Sequence, residues 1–505
     1  CRPRQEARLR TIFLGEDLRG RMSNKVVPVA ALTAAVVGIV ALAKKTKVER
    51  RRNNTTLEVE DLSSRGEALL TPTLPYLLGF LRALQDHADV CTNPSGCIPL
   101  CVAENKLVID LLSQRLVQSE TAVRAFHDAS VFCYNNFLGL PSARASLAYF
   151  IAKHIMYPEQ RNLSYNDALQ IVDPEFVAFG SGGSSLLSHL ALSLCERGDA
   201  VLIPAPYYAA FDADLRIVAG CVAVPVHMKD PCVPTSDELE AAARAVESRG
   251  MRVRILLVTN PHNPLGIIYP PRVVRSMIDW ARTRGMHTIV DELYALSVHD
   301  SRTGFESVLR TLDNDLRNDV HHVWALSKDF GASGFRFASL YTQNRQLLSA
   351  LANLNIFSGV SHPMQAMMAE VLRDDDFVYR FVETSRQRIR RSYEMCASRL
   401  DEMVIPYTRA TSGIFVYADF SSLLPEQSPE GEARFTELLL DAAKVILTPG
   451  HAQHDLRPGM YRICYTFVSP ELLDVALARL DRLVGKIRRC HWDNLNTTTF
   501  KGIIE

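Results

Sequence analysis

Short apolar runs alternate with segments of helical length through the middle of the chain, and this alternation limits the fold more than any other feature. The runs are bounded by turn residues and cover residues 200–204, 221–226, 254–259, 287–290 and 320–326, with helical patterns such as 237–249 and 271–284 between them. The pattern predicts an α/β fold in which a mostly parallel sheet is sandwiched by helices. Such sheets bind ligands at the carboxyl ends of their strands, so the polar residues after each run are the first candidates for a functional site.

The length and charge of the chain limit the class of protein. Its 505 residues exceed the ~250 to 300 at which a single core stops growing, which predicts two domains or one large domain with a smaller one. Lysine plus arginine and aspartate plus glutamate number 56 each, so no net charge favours nucleic acid, and we expect a small-molecule partner or a second copy of the chain. The eleven cysteines lack the paired spacing of a zinc site. They are interpreted as reduced cytosolic thiols, with a disulfide within residues 91–101 as the alternative.

The N-terminal region differs from the rest in composition. Residues 26–43 carry no charge, and six lysines and arginines follow within residues 44–52. Eighteen residues are just enough for a helix to cross ~30 Å of hydrocarbon, and the basic cluster would keep the bulk of the protein in the cytoplasm. We expect a transmembrane helix here, with a targeting segment as the alternative. Translation is expected to start at Met22, which makes residues 1–21 non-native, and residues 44–73 are expected to form a basic and polar linker.

Two of the predicted strand ends carry turn motifs. Ser181, Gly182 and Gly183 lie in a glycine and serine turn that opens a helical pattern. Backbone N–H groups at such a helix N-terminus suit a phosphate, although an ordinary turn explains the pattern equally well. Asn263 belongs to the second of two Asn-Pro pairs, which fix a rigid turn. Its amide is expected to point at a ligand, with turn structure alone as the alternative.

The other two strand ends carry charged residues. Asp291 directly follows an apolar run, where a carboxylate needs a cation, and Tyr294 can donate a hydrogen bond three residues later. A helix cap and a core tyrosine are the alternatives. Lys328 follows the run 320–326 and precedes a glycine-rich turn, where an amine can form a Schiff base with a carbonyl cofactor, although a solvated loop lysine fits the same pattern. Arg336 can grip a phosphate of that cofactor.

Taken in chain order, these segments resemble the class I and II aminotransferase superfamily, the fold type I enzymes that use pyridoxal 5'-phosphate. The resemblance covers roughly residues 85–490 and is greatest to 1-aminocyclopropane-1-carboxylate synthase and similar proteins. The motifs that carry it are Ala103-Glu104-Asn105, Asp110-Leu111-Leu112, Gly139-Leu140-Pro141, Pro204-Ala205-Pro206-Tyr207-Tyr208, Phe211-Asp212, Asn263-Pro264-Leu265-Gly266, Ser327-Lys328-Asp329 and Thr448-Pro449-Gly450.

The resemblance implies a role for each candidate at the cofactor. Lys328 would form the internal aldimine and then move the proton at the substrate alpha carbon, while Asp291 would keep the pyridine nitrogen protonated. Asn263 and Tyr294 would contact the ring oxygen. Tyr208 would stack on the ring face. The phosphate would be held by Ser181, Gly182, Gly183, Ser327 and Arg336.

The resemblance also implies a substrate site, and here the chain departs from the family pattern. Arg462 would bind the substrate carboxylate by a bidentate pair, and Glu104 would help to define the site. Phe137 stands where the synthase carries a tyrosine that reaches the partner subunit's site, which weakens the case for ring closure on S-adenosylmethionine. Ala325 and Gly182 stand where a phosphate-binding serine and a threonine are usual. One lost hydrogen bond to a charged group costs ~1.5 to 3 kcal/mol, so we expect cofactor affinity to be lowered and not abolished.

Together these features predict an enzyme of amino acid metabolism. The leading hypothesis is an aminotransferase that passes the amino group of an L-amino acid to a 2-oxo acid. The alternatives are a synthase-type elimination on S-adenosylmethionine or a related carbon-sulfur lyase, and an inactive cofactor-binding relative that acts as an interaction protein. We expect a large cofactor-binding domain at residues 121–375, a small α+β domain formed by 74–120 and 376–490, and a polar tail at 491–505. The resemblance implies a homodimer.

Overall fold

The computed structural model describes residues 77–490, together with Leu62, Ser63, Gly66, Glu67, Leu69, Leu70, Leu74 and Trp492. Contacts divide the chain into Cys1–Thr71 and Pro72–Glu505, and every element named below belongs to the second unit. The transmembrane helix predicted at residues 26–43 lies outside the described residues, as do residues 1–21 and most of 44–73. None of the described helices is both long enough and apolar enough to cross a membrane.

The strands in the described part of the chain form three sheets. In the large sheet the order is β2-β8-β7-β6-β5-β3-β4; β8 runs antiparallel to β2 and β7, and the other pairs are parallel. A smaller antiparallel sheet has the order β12-β13-β10-β9, and β1 pairs with β11. The bounds are β1 (Ile98–Pro99), β2 (Val177–Gly180), β3 (Ala200–Ala205), β4 (Val222–His227), β5 (Val253–Thr259), β6 (His287–Asp291), β7 (Val320–Ala325), β8 (Ala338–Tyr341), β9 (Tyr407–Thr408), β10 (Phe415–Asp419), β11 (Val445–Ile446), β12 (Thr448–Pro449) and β13 (Met460–Cys464).

Helices cover both faces of the large sheet and pack on the smaller one. Two of them continue as π-helix, at Ile151–Met156 and Leu439–Ala443. The α-helices are α1 (Leu77–Gln85), α2 (Ile109–Leu116), α3 (Ser119–His127), α4 (Pro141–Phe150), α5 (Tyr165–Ile171), α6 (Gly183–Leu194), α7 (Phe211–Arg216), α8 (Ser236–Glu247), α9 (Pro271–Thr283), α10 (Val308–Thr311), α11 (Leu326–Asp329), α12 (Arg345–Ser358), α13 (His362–Leu372), α14 (Asp375–Glu402), α15 (Pro429–Leu438) and α16 (Pro470–Arg489).

The mostly parallel sheet predicted from the sequence is confirmed. The five predicted runs correspond to β3, β4, β5, β6 and β7 with ends that differ by one residue, and the two helical patterns correspond to α8 and α9. The two antiparallel additions, β2 and β8, were not among the predicted runs. Each has only four residues, which leaves little alternation for a sequence pattern to register. The predicted domain boundaries stay a prediction.

The central strands are apolar throughout because both of their faces are buried. In β5, Ile255 and Leu257 pack on the side of α6 and α12, whereas Leu256 and Val258 pack on the side of α4 and α9. Successive side chains of a strand point to opposite faces, so a strand between two helical layers needs an unbroken apolar run. This packing fixes β5, β6 and β7 rigidly, and it places their carboxyl ends side by side.

Candidate active site

A pocket opens at the carboxyl ends of β5, β6 and β7, where the sequence predicted a site. Eight of the predicted residues line it: Gly183, Tyr208, Asn263, Asp291, Tyr294, Ser327, Lys328 and Arg336. The remaining lining residues are Ser184, Leu187, Phe211, Asp214, Leu293 and Ser333. We call this cavity the Lys328 pocket.

Lys328 is positioned by the short helix α11, which begins directly after β7. Its Nζ donates a hydrogen bond to the backbone carbonyl of Ala103, at 2.7 Å. Burial lowers the pKa of the Lys328 amine from its ordinary value, and the nearby Glu104 and Asp291 oppose this effect. A lowered pKa increases the neutral fraction of an amine relative to that of an ordinary lysine. The neutral form is the one that attacks a carbonyl.

Asp291 ends β6, and its side chain is almost completely buried. Its Oδ1 accepts a hydrogen bond from the backbone N–H of Leu293, at 3.1 Å. Burial raises the pKa of Asp291 to about 7. A cation brought into the same pocket would stabilise the charged form of this buried carboxyl group. A protonated ring nitrogen is such a cation.

The turn before α6 forms one wall of the pocket together with Arg336. Gly182 has φ +90°, and a Cβ at this position would collide with the guanidinium group of Arg336. The Arg336 Nη1 donates to the carbonyl of Ser333, at 3.0 Å. A helix N-terminus beside a guanidinium group is an anion site, so this wall suits the phosphate of a cofactor. The positive φ favours glycine at this position, where the family usually has a threonine.

Ser181 is placed differently from what the sequence led us to expect. Its hydroxyl donates to the backbone carbonyls of Ser358 and Gly359, the latter at 3.1 Å, and the residue does not line the pocket. Ser184, the second residue of α6, lines it instead. The sequence located the correct turn, but the direction of each hydroxyl depends on α12, which packs against this turn from a distant part of the chain.

Two tyrosines line the pocket and are held by aromatic packing. The ring of Tyr208 packs edge-on against Phe211, with centroids 5.3 Å apart. The ring of Tyr294 packs in the same manner against Phe415, at 5.3 Å, and its side chain is buried. Each ring is therefore fixed in direction, as a stacking surface or a positioned hydroxyl must be.

Arg462, predicted to bind a carboxylate, lies in β13 behind the pocket and is 1% exposed. Its Nη1 donates to Oδ1 of Asn263, at 2.9 Å, and its Nη2 donates to the carbonyl of Cys101, at 2.9 Å. Its Nε is buried without a hydrogen-bond partner among the described residues. Its Nη2 also donates to the hydroxyl of Thr448, at 3.3 Å. The structure thus brings Arg462 to the wall that carries Asn263, where an anionic group would have to compete with these three acceptors.

Glu104 lies beside the pocket and not in its lining. Its side chain accepts a hydrogen bond from the hydroxyl of Ser333, which does line the pocket, and its backbone carbonyl accepts one from Thr466 at 2.7 Å. The sequence did not single out Ser333. The pairing ties the turn after Lys328 to the segment that contains Ala103 and Glu104.

Asp214 is a second carboxyl of the pocket that sequence reasoning missed. One of its oxygens, Oδ2, is buried and has no hydrogen-bond partner among the described residues. Burial raises the pKa of Asp214 to about 7, a hydrogen bond from Ser184 opposes this, and the negative charge of Asp291 adds to it. The only available signal was its place two residues after the Phe211-Asp212 motif.

Phe137 lies in a different cavity, a surface groove of about 700 Å³. Tyr134 and Phe357 line the same groove and are 93% and 87% exposed. Phe137 itself is 37% exposed and packs against Tyr134, with ring centroids 6.3 Å apart. Exposed aromatic side chains clustered in this way mark an interaction surface.

The fold and the pocket define a pyridoxal-phosphate enzyme of fold type I, and comparison with known proteins agrees. The family model of class I and II aminotransferases matches residues 96–480. A 1-aminocyclopropane-1-carboxylate synthase of Oryza sativa subsp. indica is 32% identical over 81% of this chain and 85% of its own length. A probable aminotransferase of Arabidopsis thaliana, ACS12, is 32% identical over 85% of this chain and 86% of its own length. The chain belongs to the class I and II aminotransferase family.

A solved structure supports the fold independently. The aspartate aminotransferase of Thermus thermophilus with maleate superposes with a TM-score of 0.68, at 23% identity, over 84% of this chain and 100% of that one. Enzymes of the family depend on pyridoxal 5'-phosphate, which confirms the predicted cofactor. The residues present fit it: Lys328 can bind its aldehyde, Asp291 its ring nitrogen, and Arg336 with the start of α6 its phosphate.

Proposed function

We propose that the protein is an aminotransferase that moves the amino group of an L-amino acid to a 2-oxo acid. The observation that carries the proposal is the lining of the Lys328 pocket. A desolvated amine, a buried carboxyl and a guanidinium group at a helix N-terminus lie in one cavity, and these are the groups that the chemistry of the cofactor needs. The residues of the cofactor site named above are part of this proposal.

The residues of the pocket have separate tasks. Pyridoxal phosphate supplies an aldehyde for amines and a ring that withdraws electrons from the substrate alpha carbon. Lys328 would hold the aldehyde, and its Nζ would move the proton at the substrate alpha carbon. Asp291 would keep the ring nitrogen charged, Tyr208 would stack on the ring face, and Asn263 and Tyr294 would contact the ring oxygen. Arg336 neutralises the phosphate.

Arg462 is proposed to bind the substrate carboxylate. Its buried guanidinium group already donates to Asn263 and has an Nε without a partner, so a carboxylate can gain a charge-assisted hydrogen bond there. Glu104 is proposed to limit the substrate side chain through its contact with Ser333. No side chain of the described pocket specifies which amino acid is taken.

The alternative is the synthase reaction, an elimination on S-adenosylmethionine, or a related carbon-sulfur lyase reaction. The similarity to the rice synthase favours it, and the phenyl group of Phe137, which offers no hydroxyl, disfavours it. A second alternative is an inactive relative that binds the cofactor and acts as an interaction protein. The retention of Lys328, Asp291 and Arg336 in one pocket argues against that alternative.

A homodimer is proposed because the aromatic groove around Phe137 needs a cover. Tyr134 and Phe357 are too exposed and too close to other apolar side chains to be ordinary surface residues. A second copy of the chain that covers this groove would also place residues near Phe137 against the partner's site. Membrane anchoring through residues 26–43 and a cytoplasmic location of the catalytic unit stay predictions.

Two assays test the function. Purified protein is mixed with single amino acids, and the absorbance of the bound cofactor is followed as it accepts the amino group without a 2-oxo acid. In parallel, S-adenosylmethionine is supplied and methylthioadenosine is measured. We expect the first assay to respond and the second not to. Lys328→Ala is expected to abolish the response, whereas Lys229→Ala, an exposed lysine on the surface, retains it.

The outcomes separate the hypotheses. Methylthioadenosine without half-transamination would replace the aminotransferase by the synthase. Cofactor absorbance without reaction towards either substrate class would favour the inactive relative. An equal loss in Lys328→Ala and Lys229→Ala would contradict the assignment of Lys328.

A further inference from the structure

A third cavity of the protein lies apart from both the Lys328 pocket and the groove around Phe137. It is a groove of about 630 Å³ that shares no lining residue with the Lys328 pocket in the described structure. Its walls are the loop 295–305, the π-helix Ile151–Met156 with the turn after it, and the first half of α14. We call it the Arg161 groove, and its lining includes Arg161, Phe305, Tyr379, Arg386 and Arg390.

The π-helix carries a set of paired charges beside the groove, and of these residues His154 lines the groove itself. Lys153 Nζ lies 2.6 Å from one carboxylate oxygen of Asp375, and His154 Nε2 lies 3.1 Å from the other. These partners hold the pKa of Asp375 below its ordinary value against the effect of its burial. Short π-helical turns occur frequently at functional sites. Here the turn joins the groove to the first residue of α14 and neutralises the acid beneath it.

Two arginines of the groove have no carboxylate within ion-pairing distance among the described residues. The guanidinium group of Arg161 lies over the ring of Tyr379, 4.4 Å from its centroid. The Nε of Arg386 donates to the backbone carbonyl of Leu296, at 2.9 Å. Neither arginine forms an ion pair with any described residue, whereas Arg390 is paired with Glu394 at 2.8 Å. The groove therefore contains two cationic groups without a direct ion pair in the described structure, and the charge of Arg386 is offset only at longer range, by Asp329.

Other groups of the groove agree with this charge. Asp300 is neutralised by Arg302, at 2.8 Å, and Glu383 is the remaining acid, exposed at the rim. The hydroxyl of Tyr379 is buried and has no hydrogen-bond partner in the described structure. Burial lowers the pKa of Arg386 although the negative charge of Asp329 opposes this effect, because keeping a cation desolvated costs free energy. An anion that enters the groove would relieve this cost.

We propose that the Arg161 groove binds a small organic phosphate, with the phosphate group held by Arg161 and Arg386. A phosphate monoester carries about −1.5 to −2 charges at pH 7, which two unpaired guanidinium groups match. Arginine forks bind phosphate oxygens in bidentate fashion. Phe305, Val298 and the ring of Tyr379 provide apolar surface for the organic part of the ligand.

The site is connected to the catalytic lysine through a short chain of hydrogen bonds. Arg386 holds the carbonyl of Leu296, and the backbone N–H of Leu296 donates to Asp329, at 3.1 Å. Asp329 is the neighbour of Lys328 in α11. A ligand that moves the guanidinium group of Arg386 therefore changes the support of α11, and by linkage the state of Lys328 changes the affinity for the ligand.

Calorimetric titration of the holoprotein with glycerol phosphate tests the site. Bound cofactor keeps the added phosphate out of the Lys328 pocket, and no amino acid substrate is present, so the result does not depend on the proposed reaction. We expect saturable binding of one molecule per chain, and none of glycerol. Arg161→Gln and Arg386→Gln are expected to weaken binding at least tenfold. Arg380→Gln, on the exposed side of the same helix, is the matched control and should bind as the wild type does.

If Arg386→Gln fails to fold, Arg161→Gln still tests the site. We expect this variant to fold because the Arg161 side chain contacts a ring surface and donates to no backbone group in the described structure. Unchanged binding in Arg161→Gln, an equal loss in Arg380→Gln, or no saturable heat at millimolar ligand would overturn the site. The absorbance of the bound cofactor is recorded in the same titration. A spectrum that does not change while the ligand binds would overturn the connection to Lys328.

Discussion

Two carboxyl groups are buried on either side of Lys328, and their surroundings differ. The carboxylate of Asp329 accepts three hydrogen bonds, from the backbone N–H of Leu296 at 3.1 Å, the hydroxyl of Ser297 at 2.7 Å and the indole N–H of Trp324 at 2.9 Å. Within the described residues the carboxylate of Asp291 accepts one, from a backbone N–H at 3.1 Å. Both are fully enclosed, so burial alone does not distinguish them.

The difference indicates what each carboxyl is for. Burial raises the pKa of Asp329 to about 6 and that of Asp291 to about 7, and hydrogen bonds offset part of the effect in each case. The acceptor capacity of Asp329 is used by the protein itself, which makes it a structural residue that fixes α11. Asp291 keeps acceptor capacity that a ligand with a positive charge can use.

The largest expected effect follows from removing the charge of Asp291. Asp291→Asn keeps the shape of the side chain and removes its negative charge, which leaves the ring nitrogen without a counter-ion. Breaking a buried pair of charges costs ~3 to 5 kcal/mol, so we expect kcat/KM to fall by about 10²- to 10⁴-fold. Steady-state kinetics with the amino acid that reacts fastest would measure it.

Asp291→Glu serves as the matched control for this prediction. It restores the carboxylate on a longer side chain and should recover part of the lost rate. If the kcat/KM of Asp291→Asn is within threefold of the wild type, Asp291 does not act as the counter-ion of the ring nitrogen.

The next effect concerns stability and should appear at Asp329. Asp329→Ala leaves three buried donors without an acceptor, and each costs ~1 to 3 kcal/mol. We therefore expect the free energy of unfolding to fall by about 3 kcal/mol or more, measured by urea denaturation. Asp329→Asn, which can still accept the bonds from Leu296 and Trp324, is expected to lose less than half of that. Equal losses in the two variants would mean that the hydrogen bonds do not carry the stability.

The pH dependence of the free energy of unfolding, measured on the cofactor-free protein, should show a smaller effect. Because the pKa of Asp291 is raised in the folded state, the folded protein binds this proton more tightly than the unfolded chain. The free energy of unfolding therefore falls as the pH rises from about 4 to about 7. The loss is ~1.4 kcal/mol for each unit by which folding raises the pKa of Asp291. Asp291→Asn should remove part of this loss when urea unfolding is compared at about pH 5 and about pH 8. A steeper loss in the variant would contradict the buried and unpaired state of the carboxyl.

The sequence was sufficient for the parts of the site that lie at strand ends. An unbroken apolar run followed by a polar residue predicts a buried strand with its side chain at the ligand edge, and this placed Asp291 and Lys328 correctly. The glycine turn before α6 was found from the helical pattern that follows it. These predictions depend on local pattern and on one rule of sheet architecture, and both are written in consecutive residues.

The sequence was insufficient where a site residue depends on packing between distant segments. The hydroxyl of Ser181 turns to α12, and the guanidinium group of Arg462 is held by Asn263, 199 residues earlier in the chain. Asp214 reaches the pocket only because α7 packs on α6. None of these three contacts leaves a periodic signal in the sequence. Periodicity indicates which face of a helix or strand is buried, but not which atom a side chain contacts.

The smallest expected effect concerns Asp214. Burial raises the pKa of its carboxyl as it does that of Asp291, but Asp214 lies near Arg336. An ionised Asp214 weakens the attraction of Arg336 for a phosphate. Asp214→Asn should therefore tighten cofactor binding at about pH 8 by ~2- to 5-fold, since one partly screened charge contributes ~0.2 to 1 kcal/mol. Fluorescence titration of the apoprotein with pyridoxal phosphate measures this, with the exposed Asp237→Asn as the control. Weaker binding in Asp214→Asn would show instead that this carboxyl serves the cofactor by holding Ser184, and that the pocket needs two carboxylates and not one.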